Sequence, residues 1–576
     1  MGKVLKYLKK YWFIALMSPL FMAGEVWVDL KLPQLMKIIV NEGVAGMNME
    51  IILHNGILMI IYAIIGGFCG IASAGFGSAA SQYFANDLRC DAFSRVMYLS
   101  PQQTDKFTTG SLITRITNDI SQMQNFVAMA LRMCVRTTLL FAGSIYYAID
   151  LNMAFGVVVL VSLPVQIFIV TFFVSKANPL FSVVQDKLDR VNSVVQENVS
   201  GARVVKAYVR EQHEIGRFDD ANKNLCDITY KVSKIMATLN PFVMVVMNLT
   251  IIVIIRIGGG KVNVGEIGPG DVMAAITYVT QILMSIMMIS MMFQMISRAM
   301  ASSKRISEVL DTTPVIEGGD ETLDGDIETV EFKNVSFSYP GASGRPVLRD
   351  VDLKISKGET VAILGSTGSG KTSLVSLLAR YYDANGGEIL INGKDVKSFT
   401  LSSLREKIGY VLQKSEIFSG TIADNIRWGK EDATMDEVVA CAKIAQADEY
   451  INGFVDGYDT IVGEKGASLS GGQKQRLSIA RSIMKHPEVL IFDDSTSALD
   501  LGTEARLQKA LRENLKGTTI IMIAQRIASV MNADRIIVLD KGVVAACGTH
   551  KELLETSDVY KDIYNSQMRK EESDNE

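Results

Sequence analysis

Six apolar stretches, each about as long as a helix must be to cross a bilayer, crowd into the first half of this chain. A hydrocarbon core of about 30 Å takes about twenty helical residues. Runs at roughly 13–40, 52–80, 126–149, 152–175, 236–257 and 271–298 meet that requirement. They predict an α-helical polytopic membrane domain of six spans. From about Asp320 onward the text becomes charged and turn-punctuated, as expected of an α/β domain in water. At 576 residues the chain is too long for one core. Its hydrophobic share of 48% and mean hydropathy of +0.22 come from the membrane half.

Charge placement sets an orientation. The first loop, 41–50, is short and acidic, whereas the segments after spans two and four are long and rich in Lys and Arg. The leading peptide carries Lys3, Lys6, Lys9 and Lys10. Lys- and Arg-rich segments stay on the cytosolic side, so both termini and the second half are expected in the cytosol and the first half in the cell membrane. The apolar run after Trp12 has no small-residue cleavage site and reads as an anchor. Residues 82–125 and 176–234 keep a helical but amphipathic pattern, expected of helices that reach beyond the bilayer toward a cytosolic domain. Breaks near Ser100–Gln102 and Glu211–His213 would supply short turns touching that domain.

The six cysteines (Cys69, Cys90, Cys134, Cys226, Cys441, Cys547) show no CxxC spacing, which argues against a disulfide framework or zinc site. A net charge of -4 with no basic stripe gives no sign of a nucleic-acid partner.

Charges inside the spans demand an explanation. Glu25 and Asp29, four apart, share one face of the first helix, and Arg132 and Arg136 share one face of the third. A lipid-facing charge is costly, so these four point inward. They form either a structural ion-pair cluster, the reading preferred, or a site that handles cationic substrate or couples movement. The sixth span carries Met284, Met287, Met288, Met291, Met292 and Met295. Flexible thioethers suit a promiscuous apolar surface, and also ordinary core filling, which is the reading preferred for them.

The second half carries the chemistry. A β-branched strand, Val361–Leu364, runs into Gly365, Ser366, Thr367, Gly368, Ser369, Gly370, Lys371 and Thr372, and Ser373–Tyr382 reads as a helix. This is a phosphate loop in the strand–loop–helix context it needs. Glycines let backbone N–H groups approach phosphate, and the helix N-terminus adds positive potential. Lys371 is placed for the β- and γ-phosphates of ATP, and the Thr372 hydroxyl for Mg²⁺. Val489–Asp493 is a second apolar strand, ending in a carboxylate suited to Mg²⁺. Between them, Leu469 and then Ser470, Gly471, Gly472 and Gln473 precede a helical run, again an anion-binding arrangement.

Together these strings resemble the ATP-binding cassette family, with Leu469–Gln473 as its signature motif. The resemblance covers nearly the whole chain. It implies that Tyr339 stacks on adenine, and that Gln413, in Tyr-Val-Leu-Gln, senses Mg²⁺ and water and contacts the membrane domain. It further implies that Ser497–Asp500 crosses to a partner cassette and that Gly463–Gly466 is the exporter-specific cross-linking segment. With the Phe107–Asp119 text, the chain is similar to half-transporters of the multidrug, lipid and peptide exporter branch. Such chains must dimerise, because each ATP lies between one chain's phosphate loop and the other's signature. The implied organisation is a membrane domain over 1–310, a linker over 311–326, a cassette over 327–570 and an acidic tail over 571–576.

Two positions depart from the family pattern. The catalytic glutamate is Asp494 here, and the switch histidine is Gln525. His550 falls after the next strand and glycine turn and cannot replace it. The resulting expectation is a heterodimeric exporter of hydrophobic or amphipathic drugs, lipids or peptides. This chain would keep a slowly hydrolysing site and lend an intact signature to a second half-transporter. A slow homodimeric exporter, or an ATP-gated channel, stays open on the residues alone.

Overall fold

The computed structural model describes residues 1–342 and 344–574, except the side chains at 290, 291, 293, 294 and 568–574. It falls into two compact units, Met1–Met97 with Thr109–Thr312, and Tyr98–Thr108 with the chain from Thr313 onward.

Among the described residues of the first unit, six helical runs are long and apolar enough to span a membrane: Gly2–Val44, Met49–Met97, Thr109–Leu151, Met153–Ser200, Glu211–Asn263 and Pro269–Ile289, the last belonging to the helix Pro269–Asp311. Each contains or overlaps one predicted span. Where the sequence turns amphipathic the helices simply continue, because backbone hydrogen bonding is indifferent to the change of solvent. The second cytosolic break lies earlier than expected. The chain leaves helix at Gly201, makes a short helix Ala202–Ala207 and restarts at Glu211, so Glu211–His213 open a helix and form no turn.

Buried polar groups tie these helices together, since an unpaired one would be costly in an apolar interior. Tyr278 donates to the Leu30 carbonyl at 2.7 Å, and Gln166 Nε2 to the Leu283 carbonyl at 2.9 Å. Asp271 takes Lys37 at 2.8 Å and Asn41 at 2.8 Å. Asp119, fully buried, is held by Arg305 Nε at 2.7 Å and by Ser302 at 2.8 Å. The methionine stripe is mixed. Met287 packs beside Val170, Leu239 and Val243, whereas Met284 and Met288 are exposed, so core filling accounts for only part of it. The Met291 side chain lies outside the described residues.

The second unit is built on two sheets. Strands β1 (Thr329–Phe337), β2 (Leu348–Ser356), β4 (Gly386–Ile391) and β5 (Lys394–Asp395) form an antiparallel sheet in the order β2-β1-β4-β5. The central sheet uses β3 (Thr360–Leu364), β6 (Ile408–Val411), β9 (Val489–Asp493), β10 (Thr519–Ile523), β11 (Arg535–Asp540) and β12 (Val543–Gly548) in the order β12-β11-β3-β10-β9-β6. A two-stranded ribbon joins β7 (Gly420–Thr421) and β8 (Ile461–Val462). The central strands pair in parallel and only β12 is antiparallel. Buried on both faces, β9 and β10 read as continuous apolar runs.

Residues 313–326 are bonded into this unit. Gly319 N–H donates to the Phe399 carbonyl and Glu321 N–H to the Ser398 carbonyl, at 2.9 and 3.0 Å. The short helix Pro101–Phe107 belongs here too. Gln103 Nε2 donates to the Thr313 carbonyl at 2.6 Å, and its Oε1 accepts from Val315 N–H at 3.3 Å. The expected acidic tail lies outside the described side chains, and residues 575 and 576 lie outside the described residues altogether.

Candidate nucleotide-binding site

β3 delivers the chain to the phosphate loop at the carboxyl end of the parallel sheet, where open α/β folds place their ligands. Glycine is required at Gly370 (φ +101), where a Cβ would sit 2.7 Å from Leu348 Cδ2 and 3.0 Å from the Val347 carbonyl oxygen. The helix Lys371–Leu378 starts immediately after it, so its unpaired N–H groups face the loop. Lys371 Nζ donates to the Gly365 and Ser366 carbonyls, both at 2.8 Å. Burial lowers its ammonium below the usual lysine range, while the Asp494 and Asp493 carboxylates oppose that shift. Ser369 Oγ is buried and has no hydrogen-bond partner among the described residues.

The loop's lysine faces two carboxylates at the end of β9. Thr372 donates to Asp493 Oδ1 at 2.7 Å, and Tyr410 to Asp493 Oδ2 at 3.0 Å. Burial pushes the Asp493 carboxyl up, against the pull of those two hydroxyls. Asp494, just past the end of β9, adopts a left-handed conformation (φ +49). One oxygen, Asp494 Oδ2, accepts two amides: Gln525 Nε2 at 2.7 Å and Gln413 Nε2 at 3.1 Å.

A cleft of about 370 Å³ opens over these groups, lined by Tyr339, Thr367, Gly368, Gly370, Lys371, Thr372, Ser373, Gln413, Asp494 and Gln525, among others. Tyr339 bonds Ser373 Oγ through its hydroxyl at 2.9 Å and packs edge-on against Phe337 and Tyr382. The fold thus brings together the phosphate loop, Asp493, Asp494, Gln413, Gln525 and Tyr339.

It does not bring the Ser470–Gln473 string to that cleft. Ser470 caps the helix Gly471–Met484 in a reciprocal capping box, with Gln473 N–H to Ser470 Oγ at 3.3 Å and Ser470 N–H to Gln473 Oε1 at 2.8 Å. Ser470 and Gly471 are exposed. Close by, Ala498 N–H donates to Gln475 at 3.2 Å, which ties the Ser497–Asp500 turn to the same helix.

Tyr410 is the residue that motif reading passed over. It stands in the same Tyr-Val-Leu-Gln string as Gln413, on β6 beside β9. The signal available was a hydroxyl on an otherwise apolar strand adjoining the strand that ends in Asp493.

In the membrane unit, Arg136 pairs with both Glu25 and Asp29, the latter at 3.0 Å. Arg132 takes no part in this pairing. It packs along Gly77, and its Nε is buried with no partner among the described residues.

A six-span helical unit joined to a P-loop α/β unit with a phosphate loop, a strand-end aspartate and a capped Ser-Gly-Gly-Gln helix defines an ATP-powered membrane transporter. Comparison with known proteins agrees: residues 15–287 match the family model of the ABC transporter transmembrane region and residues 348–497 match that of the ABC transporter. The chain is 39% identical to the uncharacterized ABC transporter ATP-binding protein YfiB of Bacillus subtilis, over all of both chains. It is 34% identical to an uncharacterized ABC transporter ATP-binding protein of Mycobacterium tuberculosis, covering 98% of this chain and 97% of that one. It is 31% identical to the ATP-dependent lipid A-core flippase of Chromobacterium violaceum, covering 99% and 98%. The chain belongs to the ATP-binding cassette transporter family, as a half-transporter of exporter type carrying one membrane domain and one ATPase domain.

Proposed function

We propose that this chain is one subunit of a heterodimeric exporter that moves hydrophobic or amphipathic cargo out of the cytosol. Its own ATP site hydrolyses slowly, and its Ser470–Gln473 motif completes the partner's site. The single observation that carries this reading is the Asp494–Gln525 pair at the end of β9 and β10, where one short carboxylate is bonded by two neutral amides. Relative to glutamate, Asp494 is retracted by about 1 Å, a misplacement that costs on the order of 10²-fold in rate. Gln525 can offer a γ-phosphate only a neutral donor.

The exposed, capped Ser470 and its distance in the fold from this chain's own cleft favour a signature offered to a second chain. Thr372, Asp493 and Gln413 would hold Mg²⁺: a hydroxyl and a carboxylate already 2.7 Å apart suit a hard cation that takes its remaining ligands from phosphate and water. Tyr339 would stack on adenine. The partnerless Ser369 hydroxyl fits a phosphate-loop cradle. Lipid-like cargo is favoured by likeness to flippases of lipid A-core, and a cell-membrane location with the ATPase unit in the cytosol by the placement of Lys and Arg.

Affinity purification of the tagged chain from its native membrane tests the pairing. Recovery of a second half-transporter in equal amount, with Glu and His at the two altered positions, is the expected result. Recovery of this chain alone, active in ATP hydrolysis, refutes the heterodimer.

A further inference from the structure

The turn that carries Gln525 is secured from outside the sheet. β10 ends at Ile523, and the one-turn helix Ile527–Val530 follows at once. Arg526, at that helix's N-cap position, provides no side-chain cap. The first N–H of the helix, on Ile527, is taken instead by Gln567 Oε1 at 2.8 Å. The same side chain donates from Nε2 to the Gln525 carbonyl at 2.7 Å. One amide therefore bridges the peptide groups on both sides of Arg526. A primary amide, with a donor and an acceptor on one carbon, is suited to this.

Gln567 itself is firmly presented. It belongs to the C-terminal helix Asp558–Asp574. On that helix Tyr560 is fully buried and meets His550 Nδ1 at 2.6 Å, and Ile563 and Tyr564 pack against the core of the ATPase unit. The chain of bonds runs from the seated helix through Gln567 to the Gln525 backbone, and from the Gln525 amide to Asp494.

We infer that Gln567 is a positioning residue for ATP cleavage: it sets where the Gln525 backbone lies, and so where its amide meets Asp494 and the terminal phosphate. The inference rests on the reading above that Asp494 and Gln525 act on ATP bound at this chain's phosphate loop. Gln567 is not among the residues that line the cleft, so its loss acts on cleavage and leaves affinity alone.

The test uses the assembled, purified transporter with the partner's own hydrolytic site silenced, and reads single-turnover ATP cleavage, ATP affinity and melting temperature. Gln567→Ala is expected to lower cleavage about tenfold, as a loss of alignment short of a full ångström would, with affinity held within about twofold. Gln567→Glu, which keeps size and packing but replaces the donor to Gln525 by an acceptor, is expected to lower cleavage as well. It serves if the alanine variant fails to assemble. In a Gln525→Ala background, Gln567→Ala should have no further effect, because the group it positions is gone.

Unchanged cleavage in Gln567→Ala and Gln567→Glu, with cleavage reduced in Gln525→Ala, overturns the inference and leaves the site reading intact. An equal effect in the Gln525→Ala background, or affinity and melting temperature falling in step with rate, overturns it in favour of a purely structural role. Unchanged cleavage in Gln525→Ala overturns the site reading and the inference together.

Discussion

The proposed slow ATP site is tested directly by putting glutamate and histidine at the two positions where the family pattern has them. The variant is Asp494→Glu combined with Gln525→His. In the structure both amides converge on the single oxygen Asp494 Oδ2, Gln525 at 2.7 Å and Gln413 at 3.1 Å. Glutamate extends that oxygen by one methylene, roughly 1 Å, which is worth on the order of 10²-fold in rate, or about 2.7 kcal/mol. Histidine in place of Gln525 offers a donor that can carry charge toward the phosphate and a stronger, charge-assisted bond to the carboxylate.

Because the two side chains share one contact, their effects should not add. A coupling of about 0.5–3 kcal/mol between contacting residues is the general expectation. The double change should therefore exceed the product of the single rate gains by at least about twofold. The assay is single-turnover cleavage of ATP with the catalytic glutamate of the proposed partner replaced by glutamine, so that only this chain's phosphate loop contributes. Transport need not rise with it, since faster turnover shortens the time the cassettes stay together. No gain over the unmodified site, or gains that merely multiply, refutes the reasoning that these two residues jointly limit the site.

Lys371→Ala should weaken nucleotide binding at this site while leaving part of the complex's steady-state ATPase activity; activity at background in an assembled complex would point to two obligatorily coupled sites. Tyr410→Phe removes one of the two hydroxyls on the buried Asp493, a charged hydrogen bond worth about 1.5–3 kcal/mol, and should weaken Mg²⁺-dependent ATP binding about tenfold. Burial already raises the Asp493 pKa, so its metal-binding ionised form is lost as pH falls, and the variant's deficit should grow toward acid; a deficit independent of pH in binding titrations counts against this. Arg136→Ala leaves Glu25 and Asp29 without their shared partner. With Arg136 39% exposed, the loss should be on the order of 2 kcal/mol, below that of a fully buried pair, and should lower the melting temperature in detergent; an unchanged melting temperature with selective loss of cationic cargo transport would favour a cargo site.

Six spans, the phosphate loop, the strand-end Asp493 and the signature string were all legible in the chain itself, because each is a local pattern. Hydropathy over about twenty residues decides a span, and a Gly-rich turn between strand and helix decides a phosphate loop. Asp494 and Gln525, at the ends of apolar strands, stood out only against the pattern of the family that the chain resembles. What the chain could not declare was which groups meet. That Arg136 answers both Glu25 and Asp29, while Arg132 packs along Gly77, depends on how three helices rotate against one another. That Tyr410 reaches Asp493 depends on parallel pairing of β6 with β9 across eighty-three residues of chain. The convergence of Gln413, Gln525 and Asp494 on one oxygen, and the bridging of the Gln525 turn by Gln567, join segments forty or more residues apart in three of four bonds. Hydrophobic periodicity and turn residues specify each element on its own, whereas such contacts follow only from packing the elements together, which fixes side-chain positions to a fraction of an ångström.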